Sequence, residues 1–361
     1  MRVVGLLYAV TYAGVHVTVL DDHTRSTVRL APSTRDLLPL VDDLTDSLRD
    51  SAAVAENDVP RLEAFAEDWG RWLVPENLLE LPPDVLVIVP HGVLHRLPLH
   101  LVRTAAGVPL ACASGVTYAS SMTSYCRSVM LNRGRSPRSS PRTAAGGGVD
   151  VKREDDAYRA LAADVLVRFD GEPTDCSRYT AKDALESQDI DVVCLVTHGY
   201  LDPHDHRSSG LLLDQDAFTR PRSLSLYGGS LMFNDLPLSD VPATVGHRRP
   251  SEVLSLRELE TMASRAELTL LLACSTGTAQ VLQTDEPASL AEGLMRAGSA
   301  SVIAPMWEAR LDLASAWIRE FLQAWLARSL PKALAARHAF RSLRAGPVAQ
   351  LGPLHMRGDW V

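Results

Sequence analysis

Two stretches decide the fold: VVCLVTHGY at 192–200 and LTLLLACSTG at 268–277. Each opens with a continuous apolar run, as a strand buried on both faces of a parallel sheet requires, and each then turns to small polar residues. Val85–Val89 and Ser301–Ala304 are further runs of the first kind. Helical spacing lies between the runs, notably over Ala288–Ala297, which Gly298 is placed to terminate. Buried strands alternating with helices predict an α/β protein whose mainly parallel sheet is covered on both faces.

In such sheets, reactive groups collect beyond the carboxyl ends of the strands. His198 follows one run and Cys274 another, so the two can share a crevice although 76 positions separate them. A thiolate at Cys274 would be the nucleophile, and the His198 imidazole would take its proton and later protonate the leaving amine. Backbone N–H groups of Gly199 and Cys274 could stabilise the oxyanion of a tetrahedral intermediate. The same residues also fit a small buried cysteine at a strand end and a His-Gly turn, and the pattern alone leaves both readings open.

Outward from this centre, Val3–Val10, Val15–Leu20 and Ser26–Leu30 read as an antiparallel meander with a turn at Asp21-Asp22-His23. Ser33 caps a helix carrying Leu37, Leu38, Val41, Leu44 and Leu48. A second helix spans about Pro60 to Leu73, with Leu62, Phe65, Trp69 and Trp72 on one face. RGRSPRSSPRTAAGGG at 133–148 has almost no apolar side chain and reads as a basic flexible linker open to processing. The span from Asp214 to about Pro250, rich in Pro, Gly and Ser, is long for a connection and reads as a functional loop that orders on activation. The chain is expected to finish with two helices, one bearing Leu313, Trp317, Phe321 and Trp325, the other running from Pro331 to Gly346-Pro347.

Bulk properties narrow the function. A net charge of -8 gives no support to direct nucleic-acid binding. Five cysteines without a C-x-x-C predict reduced thiols in a cytoplasmic protein. No apolar run is long enough to span a membrane, and no membrane partner is expected. The cluster HGYLDPHDH at 198–206 holds three histidines and two aspartates, but its spacing fits no metallohydrolase pattern, so no metal is assigned. Phosphate-binding glycine loops and the G-x-S-x-G elbow are absent.

Beyond the two central stretches, SSGLLLD (208–214), SLRELE (255–260) and GLMRAGSASVIAPMWEA (293–309) complete an ordered set. Together they resemble the CHAT branch of the caspase-like cysteine proteases, relatives of caspases and separase. VLVIVPHGVLHRLPLHLV (85–102) and GVPLACASGVTYASS (107–121) extend the resemblance into the N-terminal part. The resemblance implies a caspase-like three-layer α/β/α sandwich with a mostly parallel sheet. It implies an N-terminal pseudo-lobe (1–132), the linker (133–150) and a catalytic lobe (151–361). His198 and Cys274 fall on the family's catalytic residues, with no cofactor required; His91 and His95 fall outside the catalytic part and read as structural. Relatives often carry an acidic residue after W-x-V that binds a basic substrate side chain. This chain instead has Trp307, Glu308, Arg310, Leu311 and Asp312, so Leu311 would suit an apolar residue and Arg310 an acidic one. The resemblance further implies cleavage of a protein partner in bacterial defence, stress or cell death, with a separate activator or sensor protein. A catalytically silent scaffold and a thiol-dependent acyl transferase or hydrolase on a non-peptide substrate are the alternatives.

Overall fold

The computed structural model describes residues 1–22, 24–30, 33–48, 59–134, 143–147, 162, 165, 173–174, 178–200, 205–213, 224–227, 230–233, 236–237, 253–273, 280–281, 287–343 and 352–361. Its strands are β1 (Val3–Thr11), β2 (Gly14–Asp21), β3 (Thr24–Arg29), β4 (Val85–Val89), β5 (Gly115–Tyr118), β6 (Thr143–Gly147) and β7 (Pro173–Thr174). They continue as β8 (Val192–Val196), β9 (His198–Tyr200), β10 (Gly210–Leu212), β11 (Val253–Ser255), β12 (Leu268–Leu272), β13 (Ser301–Pro305) and β14 (Leu354–Gly358). The helices are α1 (Thr34–Ser47), α2 (Pro60–Glu67), α3 (Glu76–Glu80), α4 (Leu110–Ala113), α5 (Met122–Arg133) and α6 (Arg178–Glu186). After them come α7 (Leu256–Leu259), α8 (Leu290–Ala297), α9 (Leu311–Leu322) and α10 (Lys332–Ser342).

One 11-stranded sheet runs through the molecule in the order β3-β2-β1-β4-β5-β14-β13-β12-β8-β6-β7. The pairs β1–β4, β4–β5, β12–β13, β8–β12, β6–β8 and β6–β7 are parallel. The expected meander of β1, β2 and β3 is antiparallel, as is the pairing of β14 with β13.

Period-2 alternation sorts the buried strand residues into layers. On one face, Val85, Val87, Val192, Cys194, Leu268, Leu270 and Ile303 share a core with Trp317, Ile318 and Phe321 of α9 and Ala339 and Phe340 of α10. On the opposite face there are two cores. Leu86 and Ile88 pack with α1 and α2 through Leu37, Val41, Leu62 and Phe65. Val193, Leu195, Leu271, Val302 and Ala304 pack with α6, α7 and α8. This is the caspase-like α/β/α sandwich, with the α9–α10 layer spanning both halves of the sheet.

Local signals act where the sequence predicts them. Ser33 accepts from the Asp36 N–H at the start of α1, and Gly298 ends α8 with φ 118°, a conformation that costs glycine nothing. Three expectations are corrected. Trp72 is half exposed because α2 stops at Glu67, and the backbone at Asp68 (φ -114°, ψ -91°) breaks the helical stripe before the 3₁₀ turn Trp69–Leu73. Within the span read as a flexible linker, Thr143–Gly147 is instead β6, paired in parallel with all of β8. A sheet ladder needs only backbone groups, so a Gly/Ala-rich run can supply one. Third, the two C-terminal helices are followed by a strand, β14, every residue of which is buried. Of the 214–250 span, Leu224–Tyr227, Ser230–Phe233 and Leu236–Pro237 form a small antiparallel sheet, and the rest lies outside the described residues.

β14 is the seam between the halves, and it carries charge into the interior. Arg357, 2% exposed, donates from Nε to His355 Nε2 at 2.9 Å and faces Glu292 Oε2 of α8 at 3.7 Å. Glu292 Oε1 accepts from Ser120 Oγ at 2.6 Å. The Thr117 hydroxyl donates to Gly358 O (2.9 Å), Ser301 Oγ to Asp359 O (2.7 Å) and Asn132 Nδ2 to Asp359 Oδ2 (2.6 Å). His100 closes the network: Nε2 donates to Gly352 O at 2.9 Å, and Nδ1 lies 3.0 Å from the Tyr118 hydroxyl. Burial pushes His100 down to about 4, so its ring is neutral and can accept from that hydroxyl. Removing one member of a buried ion pair strands the other, at a cost of about 3–5 kcal/mol. Arg357→Ala is therefore expected to lower stability by roughly that amount in urea unfolding. The double variant Glu292→Gln with Arg357→Met should recover most of the loss; a double as unstable as the single would show that stranded charge is not the cause.

Candidate active site

The site is built on the two runs that opened the sequence. β8 and β12 are neighbours, in parallel register from Val192↔Leu268 to Val196↔Leu272. The Thr197 N–H extends that ladder by donating to Leu272 O at 3.1 Å. The two strands therefore end level, about 4.8 Å apart in the hydrogen-bonding direction. Two residues beyond each paired end, the sequence has His198 and Cys274.

On the histidine side the backbone is held by a second, three-stranded sheet in the order β11-β10-β9. His198 pairs with Leu212 and Gly199 with Leu211. Thr197, fully buried, fixes the crossing from one sheet to the other by donating its hydroxyl to Leu212 O. Gly210 explains the SSGLLLD motif: a Cβ there would lie 2.3 Å from Leu254 O, so only glycine lets β10 approach β11. Ser255 and Glu258 then form a capping box at the start of α7. The His198 side chain and the whole of Cys274 lie outside the described residues; on the cysteine side the chain is described as far as Ala273, which is buried.

The Trp307–Asp312 segment leaves β13 beside this edge. Trp307 is 1% exposed and packs in the core of the N-terminal half, while the Met306 N–H donates to Pro353 O at 2.8 Å. Glu308 is half-buried, and Leu311 packs partly against the α9–α10 core. Arg310 and Asp312 are both exposed and grip each other, Nε to Oδ1 at 3.1 Å and Nη2 to Oδ2 at 2.6 Å. The hydrogen bond from Arg310 holds the Asp312 carboxyl below its usual range. The sequence offered Leu311 and Arg310 as alternatives; the structure pairs Arg310 with Asp312 as one neutral bidentate pair.

Sequence reasoning missed the part taken by the N-terminal half. Gln280–Val281, the next described residues after Cys274, lie against the turn Gly92–Arg96 that follows β4. They pair antiparallel with Pro287–Ala288, which leads into α8. His91 Nδ1 accepts from the Val10 N–H at 3.3 Å. His95 is buried at 2% exposure, and desolvation, then the charge of Arg357 and then His91, pushes it down to about 3, so it is held neutral. The continuous apolar context of VLVIVPHGVL was the available signal: it marked a strand end at the same kind of boundary as His198. Within the HGYLDPHDH cluster, Asp205 accepts from Arg207 N (3.1 Å) and Ser208 Oγ (2.5 Å), the work of a turn residue. His204 lies outside the described residues.

Two strand ends at one level and a nearby glycine with a fixed backbone are features a thiol-dependent acyl transfer could use. The fold is shared with separase. Two structures of the Saccharomyces cerevisiae separase–securin complex superpose with TM-scores of 0.63 and 0.56, each at 9% identity and over 99% of this chain. The chain spans about 30% of the separase chains it matches. No curated protein matches in sequence. The sequence profile of the CHAT domain matches residues 63–358, which include both central strands, the seam strand β14 and the N-terminal turn beside the site. The chain belongs to the CHAT domain family, with the fold of the caspase-like cysteine proteases.

Proposed function

We propose that the protein is a cysteine endopeptidase in which a Cys274 thiolate attacks the scissile carbonyl and His198 acts as acid and base. The observation that carries this reading is the level ending of β8 and β12, with Thr197 tied to Leu272 across the edge. Residues two steps beyond such ends begin from neighbouring backbone positions, which is the proximity a nucleophile and its base require. Gly199 supports the oxyanion role, since its backbone is held in the β9–β10 ladder and donors fixed in advance cost no reorganisation during reaction. The N-terminal half, residues 1–132, is read as non-catalytic support for the loop after Cys274. The substrate is proposed to be a protein partner in a bacterial defence, stress or cell-death pathway. A separate regulatory protein is proposed as well, as the separase neighbours are complexes with securin. Among the described residues no helix is long and apolar enough to cross a membrane, and a cytoplasmic location is proposed.

The rim pair sets the proposed specificity. Arg310 and Asp312 satisfy each other's charge, the half-buried Glu308 leaves one carboxylate in the segment, and Leu311 is proposed to favour an apolar residue at the cleavage position.

Two outcomes are expected. Treated with a peptidyl electrophile library, wild type should be labelled at Cys274, Cys274→Ala should not be, and His198→Ala should react about 10²–10⁴-fold more slowly. Labelling of Cys274 at full rate without His198 would remove the dyad. In cleavage profiling, Asp312→Asn should free Arg310 and raise the preference for Asp or Glu, and Arg310→Gln should free Asp312 and raise it for Arg or Lys. Each shift is expected at about tenfold or more, the scale of one charge-assisted hydrogen bond. An unchanged profile in both variants would place the pair away from the substrate.

A further inference from the structure

At the far end of the sheet from β8, the molecule presents an open strand edge. β3 is the terminal strand, and all six of its residues, Thr24–Arg29, are exposed. The register with β2 runs from Asp21↔Thr24 to His16↔Arg29. Just beyond it, the Leu30 N–H donates to Val15 O at 2.8 Å, which fixes the phase of the ladder. In an antiparallel pair, hydrogen-bonded and non-hydrogen-bonded positions alternate. Val28, Ser26 and Thr24 therefore bond to β2, and the backbone N–H and C=O groups of Arg25, Thr27 and Arg29 point away from the sheet.

The same three residues share one face of the strand. Thr27 Oγ1 lies 3.1 Å from Thr18 Oγ1, and Arg29 donates to Ala13 O, which holds the hairpin in shape. Among the described residues neither Arg25 nor Arg29 has a carboxylate partner, although acidic residues outnumber basic ones in the chain by 44 to 36. Nearby Asp21 is engaged by Arg2 at 3.0 Å. The edge thus offers three residues' worth of unpaired backbone flanked by two uncompensated cations. A second copy of β3 laid against it would oppose arginine with arginine, which disfavours self-pairing.

We propose that β3 is a docking edge for an extended acidic segment of a partner protein, which adds to the sheet as a further strand. Main-chain bonds to Arg25, Thr27 and Arg29 would supply affinity, and carboxylates four residues apart, opposite Arg25 and Arg29, would fix register and specificity. The site lies apart from the crevice at β8 and β12, and it stands whether or not the chain is a peptidase.

The test uses the full chain and a fluorescent peptide, acetyl-Glu-Val-Thr-Val-Glu-amide, with a Lys-for-Glu version as control. Thr27→Pro removes an outward N–H while leaving the ladder to β2 intact, and proline is tolerated on an edge of this kind. Fluorescence anisotropy should show binding of the acidic peptide, at least tenfold weaker binding of the lysine peptide, and at least tenfold weaker binding to Thr27→Pro with an unchanged melting temperature. Arg25→Glu with Arg29→Glu should reverse the peptide preference. Absence of binding to wild type, equal binding of both peptides, or a wild-type dimer that Thr27→Pro dissolves would each overturn the proposal. If Thr27→Pro melts early, the charge reversal alone decides, since it leaves the backbone untouched.

Discussion

The architecture depends on a strand that has no exposed residue. β14 lies between β5 and β13, and without it the sheet would be two half-sheets with two raw edges in the middle of the molecule. Burying that strand required burying Arg357, and an unpaired guanidinium in such a place would cost several kcal/mol. Glu292 answers the charge from α8, and Ser120, at the end of β5, answers the second carboxylate oxygen. The pair is therefore made by three elements: the seam strand, α8 and, through Ser120, the N-terminal half, so it ties the two halves together.

From this seam the site inherits its geometry. α8 is fixed at Glu292, and its N-terminus is fixed one turn earlier by the Ser289 side chain, which accepts from the Glu292 N–H at 3.1 Å. Just ahead of Ser289, Pro287–Ala288 pairs with Gln280–Val281, and that pair rests on the Gly92–Arg96 turn. Cys274 thus follows β12 in the chain and precedes α8, and both of those elements are fixed. The histidine position has its own anchor in Thr197, buried and bonded through both its backbone and its hydroxyl. Two independently fixed backbones are what hold a reactive pair to the few tenths of an ångström that chemistry needs.

Much of this was legible in the sequence, and the reasons for the exceptions are physical. β4, β8, β12 and β13 stand where the apolar runs stood, because a strand buried on both faces must be apolar at every position. Ser33 and Gly298 were legible because caps are local. β14 was not: Leu354-His355-Met356-Arg357-Gly358 carries two titratable side chains, and their partners, Tyr118 for His355 and Glu292 for Arg357, stand 237 and 65 positions away. β6 was hidden for the opposite reason, since Thr-Ala-Ala-Gly-Gly shows no apolar pattern in the sequence, and a sheet ladder needs only backbone groups. In the candidate site the strand ends were legible, but the clasp of Arg310 and Asp312 was not, because two residues that close in sequence could equally have faced apart.

The N-terminal half has a structural reason to accompany the site. Trp307 leaves the carboxyl end of β13 and packs into the core shared by α1, α2 and β4. Arg310, Leu311 and Asp312 thus belong to a segment whose two ends sit in different cores, Trp307 in the N-terminal one and α9 in the layer that spans both halves. A C-terminal half cut away from its neighbour would expose Trp307, Met306 and the seam charges together, and it would lose the turn against which Gln280–Val281 rests. The complete sheet is therefore the structural unit around the candidate site, and the half without Cys274 supports that region through the Gly92–Arg96 turn and Trp307.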